Sequence, residues 1–381
     1  MKPMNESLPQ RAGIQQRVLP MYRAPFFDSL ARALPGRLSV FAGAPRPREA
    51  IPQADSLKIA RWIRAGNHYL GRGVFSAIWQ SGWREWLAAE NPEVVVFEAH
   101  PRILSNRSIL RWMRDRGRPV IGWSLGPVRN GNDVLGLIRS FYRQFSALVV
   151  YSQSASLAFQ QLGLPAEKIF VAPNSVESAC AEALLGAPRG REAARVALGL
   201  DARPVVLSVG RLVPQKRVDA LLRVCSQMHE SCQLLIVGDG PDRSRLESLA
   251  AEICPAARFT GDLRGEELGK CFLAADLFVM PGTGGLALQE AMLYGKPVAA
   301  AEADGSQRDL IREGVNGWML PSGDEKALLR IIRDALGDPR RLETMGAASR
   351  RIVREMATID RMVDGFLSAM RYSLAHQGRQ P

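Results

Sequence analysis

No stretch of this 381-residue sequence approaches the roughly 18 uninterrupted apolar residues that a membrane-spanning helix needs. The opening, MKPMNESLPQRAG, lacks the apolar core of a secretory leader, so neither a secreted nor an integral membrane protein is expected. Cysteine is scarce: Cys180, Cys225, Cys232, Cys254 and Cys271 are odd in number, confined to residues 180–271 and free of C-x-x-C spacing. They read as reduced thiols in a cytosolic setting rather than as a disulfide framework. Only four histidines occur. No His/Cys/carboxylate set falls at ligand spacing, no Asp-x-Asp pair ends a strand, and no G-x4-G-K-[ST] loop is present, so neither a metal site nor a P-loop is indicated. The G-x-G of Gly238 and Gly240 lacks the third glycine of a dinucleotide fingerprint, which disfavours nicotinamide.

What is present is a folded chain of ordinary composition, 46% apolar and 23% charged, long enough for two domains. Its net charge of +12 is unevenly spread. Residues 1–190 carry 24 Lys and Arg against 13 Asp and Glu, whereas residues 191–381 carry 26 against 25. The first half is therefore the one suited to an anionic partner, unless an Arg-rich genome simply coats its surfaces with Arg.

Short aliphatic runs alternate with helical stretches throughout. In the second half they are PVVLSVG, CQLLIVGDG, ARFTGD, ADLFVMPG and KPVAAAE; in the first, RLSVFAG, NPEVVVFEAH, RPVIGWS, SALVVYSQS and EKIFVAPNS. Buried strands alternating with helices predict α/β domains with doubly wound parallel sheets, whose ligands bind beyond the carboxyl ends of the strands. The expected boundaries are a domain over 1–176, a linker over 177–203, a second domain over 204–360, and a C-terminal helix over 361–381 packing back on the first.

Two clusters in the second half can bind a diphosphate. In SVGRLVPQKRVDALL, Arg211 follows Gly210 and Lys216 stands five positions on, just before a helix, so both cations can meet an anion at the strand ends. Three basic residues on a solvated turn would look the same in isolation. In PGTGGLALQEAMLYGKPVAA, Gly282, Gly284 and Gly285 permit close backbone approach at a helix start, followed by Leu286 and then by Glu290, about one and a half turns in, among apolar neighbours. A carboxylate in that company can accept hydrogen bonds from ribose hydroxyls. Gly240, from the G-x-G turn, is a further strand-end glycine at that edge.

Taken in order, VGRLVPQKR, LLIVGDGP, FTGDL, DLFVMPG, GGLALQEAMLYGKPV and VNGWMLPSGD resemble the retaining glycosyltransferases of the GT-B fold, specifically glycosyltransferase family 4, over about residues 195–345. The resemblance implies two Rossmann-like domains facing across a cleft and a UDP- or GDP-linked sugar as co-substrate, with no metal or other cofactor. It implies a glycan or lipid-linked acceptor on the N-terminal domain, in building a surface polysaccharide or glycolipid. It gives Arg211 and Lys216 the donor diphosphate, Glu290 the ribose, and the loop near Leu263 the base edge. His100, ending VVVFEAH, resembles a histidine that members place near the donor sugar, where it orients rather than transfers protons; a strand-end histidine is otherwise structural. One position departs: the first glutamate of the family's E-x7-E pattern falls on Gly282. In the first half, Pro20, Met21 and Tyr22 stand where a glycine pair is usual. A non-catalytic relative that binds a nucleotide or a partner enzyme is the alternative, with an epimerase or a glycogen-type synthase behind it.

Residues 57–90 carry Trp62, Tyr69, Phe75, Trp79, Trp83 and Trp86 with Lys58, Arg61, Arg64, Arg72 and Arg84 interspersed. Trp79, Trp83 and Trp86 fall at helical spacing, which predicts either a core-packed stripe or an interfacial helix on anionic lipid at the inner membrane face. No nucleic-acid motif appears, so membrane is the expected anionic partner.

Overall fold

The computed structural model describes residues 8–46, 49, 51–71, 76–127 and 135–378. The chain divides into two compact units: residues 1–174 with 359–381, and residues 175–358.

Unit 1 contains β1 (Arg11–Val18), α1 (Ala24–Ala33), β2 (Arg37–Gly43), β3 (Arg61–Arg64), β4 (Gly66–Leu70), β5 (Ala77–Ser81), α2 (Trp83–Glu90), β6 (Val94–Glu98), α3 (Ser105–Arg114), β7 (Val120–Ser124), α4 (Leu135–Arg143), β8 (Ala147–Val150), α5 (Gln153–Gln161) and β9 (Ile169–Val171). Seven strands form one parallel sheet in the order β3-β2-β1-β6-β7-β8-β9, while β4 and β5 pair as a separate antiparallel hairpin. Alternation of period two fills both faces. Ile14, Val40, Val94 and Val96 enter one core; Phe41, Val95 and Phe97 enter the other.

Unit 2 follows with α6 (Ala179–Leu185), α7 (Gly190–Ala197), β10 (Val205–Val209), α8 (Val218–Ser226), β11 (Gln233–Val237), α9 (Arg243–Ile253), β12 (Arg258–Phe259), α10 (Gly265–Ala274), β13 (Leu277–Met280), α11 (Ala287–Leu293), β14 (Val298–Ala301), α12 (Ser306–Leu310), β15 (Gly317–Leu320), α13 (Glu325–Leu336) and α14 (Pro339–Met356). Its parallel sheet runs β12-β11-β10-β13-β14-β15, with Val205 and Leu207 facing one core and Val206 the other.

The segment expected as a linker, 177–203, instead forms α6 and α7 and belongs to unit 2. Ala181 and Ala194 are buried beside Phe272 and Leu273 of α10, and Gly269 leaves the space that Leu184 fills. Arg195 anchors α7 by donating to Asp276 Oδ2 at 3.3 Å, and the same oxygen accepts from Val205 N at 2.8 Å. An Ala/Arg-rich stretch looks polar in sequence, but small residues at helical spacing give it a narrow packing face.

The aromatic stretch also departs from a single helix. Trp83 and Trp86 lie buried on α2, Trp86 stacking on Phe41 at 4.8 Å, whereas Trp79 is exposed on β5. The Gly82 turn, with φ of +86°, separates strand from helix and breaks the stripe. Phe75 and Arg72 lie outside the described residues.

The last helix, α15 (Ile359–Ala375), returns the chain to unit 1, where Phe366 meets Trp123 edge-on and Phe26, both at 4.8 Å. Gly365 lets it approach β9: a Cβ there would stand 2.6 Å from Ala172 Cβ. We expect Gly365→Val to cost about 3 kcal/mol by overpacking, read as a lowered unfolding temperature and partial loss of the tryptophan fluorescence change on unfolding.

Candidate functional site

Parallel strands end on a common edge, and in unit 2 the residues singled out from sequence follow those ends. Arg211 is exposed two residues beyond β10. A turn of 3-10 helix over Pro214–Lys216 then brings Lys216 against the loop after β13, where its Nζ donates to Thr283 O at 2.8 Å and Gly284 O at 2.7 Å. Burial lowers the Lys216 pKa, opposed by the charge of Asp304. An ammonium has three protons, so two carbonyl acceptors leave one for an anion.

This contact requires glycine at 282. Gly282 lies flat on the 214–216 turn: a Cβ would overlap the Gln215 carbonyl oxygen and stand 2.7 Å from Lys216 Cα, while Thr283 N donates to Gln215 O at 2.8 Å. Gly285 adjoins the ammonium, where an added Cβ would sit 3.5 Å from Nζ, and Gly284 is pressed against Gln307. Gly240 has a different task. It packs on the Leu212 backbone, with Leu212 N donating to Asp239 O at 2.9 Å, so it joins two strand-end loops. Leu263 is half-buried against the unit 2 core, and Gly238 N, donating to Gly261 O at 2.8 Å, ties that loop to the end of β11.

Glu290 stands in the first turn of α11, nearer the glycine loop than the sequence suggested, because the helix begins only at Ala287. At seven residues this helix contributes little dipole, and its Leu288 amide donates to Gly285 O at 3.4 Å. The local positive charge is therefore that of Lys216 and Arg211. Among the described residues the Glu290 carboxylate has no hydrogen-bond partner, and burial pushes its pKa up to about 7. Leu286, half-buried, precedes the helix. Among the described residues, no group of three or more His, Cys, Asp and Glu could hold a metal ion.

In unit 1, His100 follows β6, and its Nδ1 accepts from Arg102 N at 3.2 Å. Burial lowers its pKa, so the neutral imidazole carries its proton on Nε2, a donor suited to a hydroxyl. Sequence reasoning missed Arg23. It follows β1 and lies over the Trp123 ring at 4.2 Å, donates to Gln16 Oε1 at 3.2 Å and to Tyr151 Oη, and carries a pKa raised by neighbouring phenols against the effect of its own burial. The only signal was Tyr22-Arg23 at the strand-to-helix junction, where the expected glycine pair is absent.

Residues 190–352 match the profile of glycosyl transferases group 1. Two mannosyltransferases of Mycolicibacterium smegmatis are similar. One, a GDP-mannose-dependent alpha-mannosyltransferase, is 40% identical over 40% of this chain and 39% of its own length. The other, a GDP-mannose-dependent alpha-(1-6)-phosphatidylinositol monomannoside mannosyltransferase, is 31% identical over 60% of this chain and 62% of its own.

This chain resembles the glycosyl transferases group 1 family over residues 190–352, less than half of its length.

It spans less than two thirds of the length of these curated relatives. Sucrose-phosphate synthase from Thermosynechococcus elongatus shares the fold at TM-score 0.75 and 20% identity, over 94% of this chain and 97% of that one. The HepE protein of Anabaena, solved with UDP, does so at TM-score 0.72 and 19% identity, over 93% and 97%. The fold is thus the two-domain α/β arrangement of the GT-B glycosyltransferases, and residues 190–352 make up most of unit 2.

Within that unit, Glu290 combines burial with the lack of a partner, which costs stability when it ionises. Its folded pKa near 7 exceeds the ordinary carboxylate value of 4.5. The penalty is therefore absent at low pH, grows as pH rises from about 4.5 to about 7, and is complete above. Glu290→Gln should raise the free energy of unfolding at pH 8 by an amount on the order of 2 kcal/mol and leave it unchanged near pH 4, as read by denaturant melts across pH.

Proposed function

We propose that the chain transfers a hexose from a GDP- or UDP-linked donor to a lipid-linked acceptor, with retention, and that unit 2 holds the donor. The observation carrying this is the Lys216 ammonium, held to the carbonyls of Thr283 and Gly284 in the same loop that leads into the helix of the unpartnered Glu290. Lys216 and Arg211 offset the charge that gathers on a departing diphosphate. Glu290 accepts the ribose hydroxyls and Leu263's loop meets the base, while in unit 1 the Nε2 proton of His100 is available to a sugar hydroxyl. The two cations serve the diphosphate without a metal ion. The GDP-mannose-dependent relatives make GDP-mannose the first donor to test, and the phosphatidylinositol mannoside named for one of them favours a glycolipid acceptor.

A donor screen against phosphatidylinositol mannosides and polyprenyl phosphates should give transfer that persists in EDTA. Lys216→Ala and Glu290→Ala should each lower it by about 100-fold or more with folding intact; full activity in both would overturn the site. Nucleotide binding should tighten as pH rises through about 7, since hydroxyl donors favour the ionised Glu290, and Glu290→Gln should flatten that profile.

One observation favours a second reading. The backbone at 282 has no room for the carboxylate that the family pattern places there. Binding of a nucleotide without transfer or donor hydrolysis would establish a non-catalytic relative instead.

The excess positive charge of residues 1–190 further supports an anionic membrane surface as partner. No described helix is long and apolar enough to span a membrane. Exposed apolar side chains within and after the basic residues 58–64 are Ile59 and, on the hairpin, Leu70 and Trp79. Sedimentation with anionic vesicles should weaken as salt rises, and equal sedimentation with neutral vesicles would refute the electrostatic component.

A further inference from the structure

A cavity of about 250 Å³ opens in unit 1 at the amino ends of β7, β8 and β9, the edge of the sheet opposite to the one that β6 leaves to reach His100. Arg114, Arg118 and Lys168 line it together with Ser146, Tyr372 and His376, and no carboxylate is among its lining residues. The three cations come from different places: the end of α3, the approach to β7 and the approach to β9.

None of the three pairs with a carboxylate among the described residues. Arg118 donates to neutral oxygens, Asn91 Oδ1 at 2.6 Å and Pro92 O at 2.9 Å, and Arg114 reaches only Gln144 Oε1 at 3.4 Å. Elsewhere arginines sit on carboxylates, Arg17 and Arg61 in unit 1 and Arg191, Arg195, Arg203, Arg223, Arg243 and Arg245 in unit 2. Helix dipoles explain part of the arrangement, since Arg114 ends α3 and His376 follows α15, and helix carboxyl ends favour cations. They do not explain Arg118 and Lys168, which precede strands. Burial without a counter-charge is unfavourable, and Arg118 and Lys168 are both half-buried.

One wall is aromatic. The His376 ring stacks on Tyr372 at 4.2 Å and 25°, held by its Nδ1 proton donating to Tyr372 O at 2.8 Å, which leaves Nε2 as the remaining polar atom of that ring. Cations on one side and a flat, partly apolar wall on the other match a small ring or chain bearing a dianionic phosphate.

We propose that this cavity binds a phosphate monoester, independently of the donor site in unit 2. Two sources share that chemistry, a soluble sugar phosphate and a lipid headgroup, so the probes are glucose 6-phosphate and dihexanoyl phosphatidic acid. Titration calorimetry of the full chain at physiological salt should show saturable binding of at least one probe with Kd of about 1 mM or tighter, and none of glucose. Lys168→Gln and Arg114→Gln, neither of which breaks a strong bond in the free protein, should each weaken it by about tenfold, the loss of one charge-assisted contact. Lys216→Ala should leave it unchanged. The tighter probe identifies the source. Failure of both probes to saturate, insensitivity to both unit 1 variants, or loss of binding in Lys216→Ala would overturn the proposal.

Discussion

The ammonium of Lys216 reaches the carbonyls of Thr283 and Gly284 only because two loops, one after β10 and one after β13, lie backbone against backbone. Gly282 makes that approach possible, and the amide of Thr283 seals it by donating to Gln215. The joined loops carry the neighbouring groups with them. The lysine rests on two carbonyls, Gly285 lies beside it, and α11 starts at Ala287, which puts Glu290 in its first turn. The charge and the carboxylate are thus held by a single strand-end contact rather than by separate scaffolds.

That contact changes the meaning of the departure at 282. In the sequence, a glycine where the family pattern carries a glutamate reads as the loss of a functional group. In the structure it is a packing requirement, because any side chain would collide with the main chain of Gln215 and Lys216. If a carboxylate is needed at the donor sugar, it has to come from elsewhere. The same reasoning separates the remaining glycines: Gly285 belongs to the environment of Lys216, whereas Gly240 serves loop packing against Leu212.

The alternation of aliphatic runs and helices made both parallel sheets legible, because strands buried on both faces must be continuously apolar. The positions of Arg211 and Lys216 after β10 and of Glu290 early in α11 were legible because the aliphatic runs and the apolar residues around Glu290 mark the strand end and the helix. Three things were not. The packing of α6 and α7 depends on the space left by Gly269, about 80 residues away, which no local pattern carries. The helical spacing of Trp79, Trp83 and Trp86 was real, but Gly82 breaks the helix between the first and second, so one tryptophan is exposed and two are core. Arg23 was hidden because its partners, Trp123 on β7 and Tyr151 just after β8, lie far along the chain.

Arg23 also shows how the two units differ in handling charge. In unit 2, most arginines near strand and helix ends meet carboxylates, and the half comprising residues 191–381 is close to neutral. In unit 1, Arg23 is held by ring faces, a phenol and an amide, and Arg114, Arg118 and Lys168 meet only neutral groups or none. Arg17 and Arg61 of the same unit do meet carboxylates, but neutral partners satisfy the geometry of a guanidinium while leaving its charge uncompensated, so the field persists around Arg23 and around Arg114, Arg118 and Lys168. A surplus spread over a solvated surface would be screened within about 10 Å by salt, but one partly buried among aromatic rings is screened less and acts at short range. The excess of positive charge in the first half is therefore suited to binding particular anionic groups as well as to general attraction toward an anionic surface.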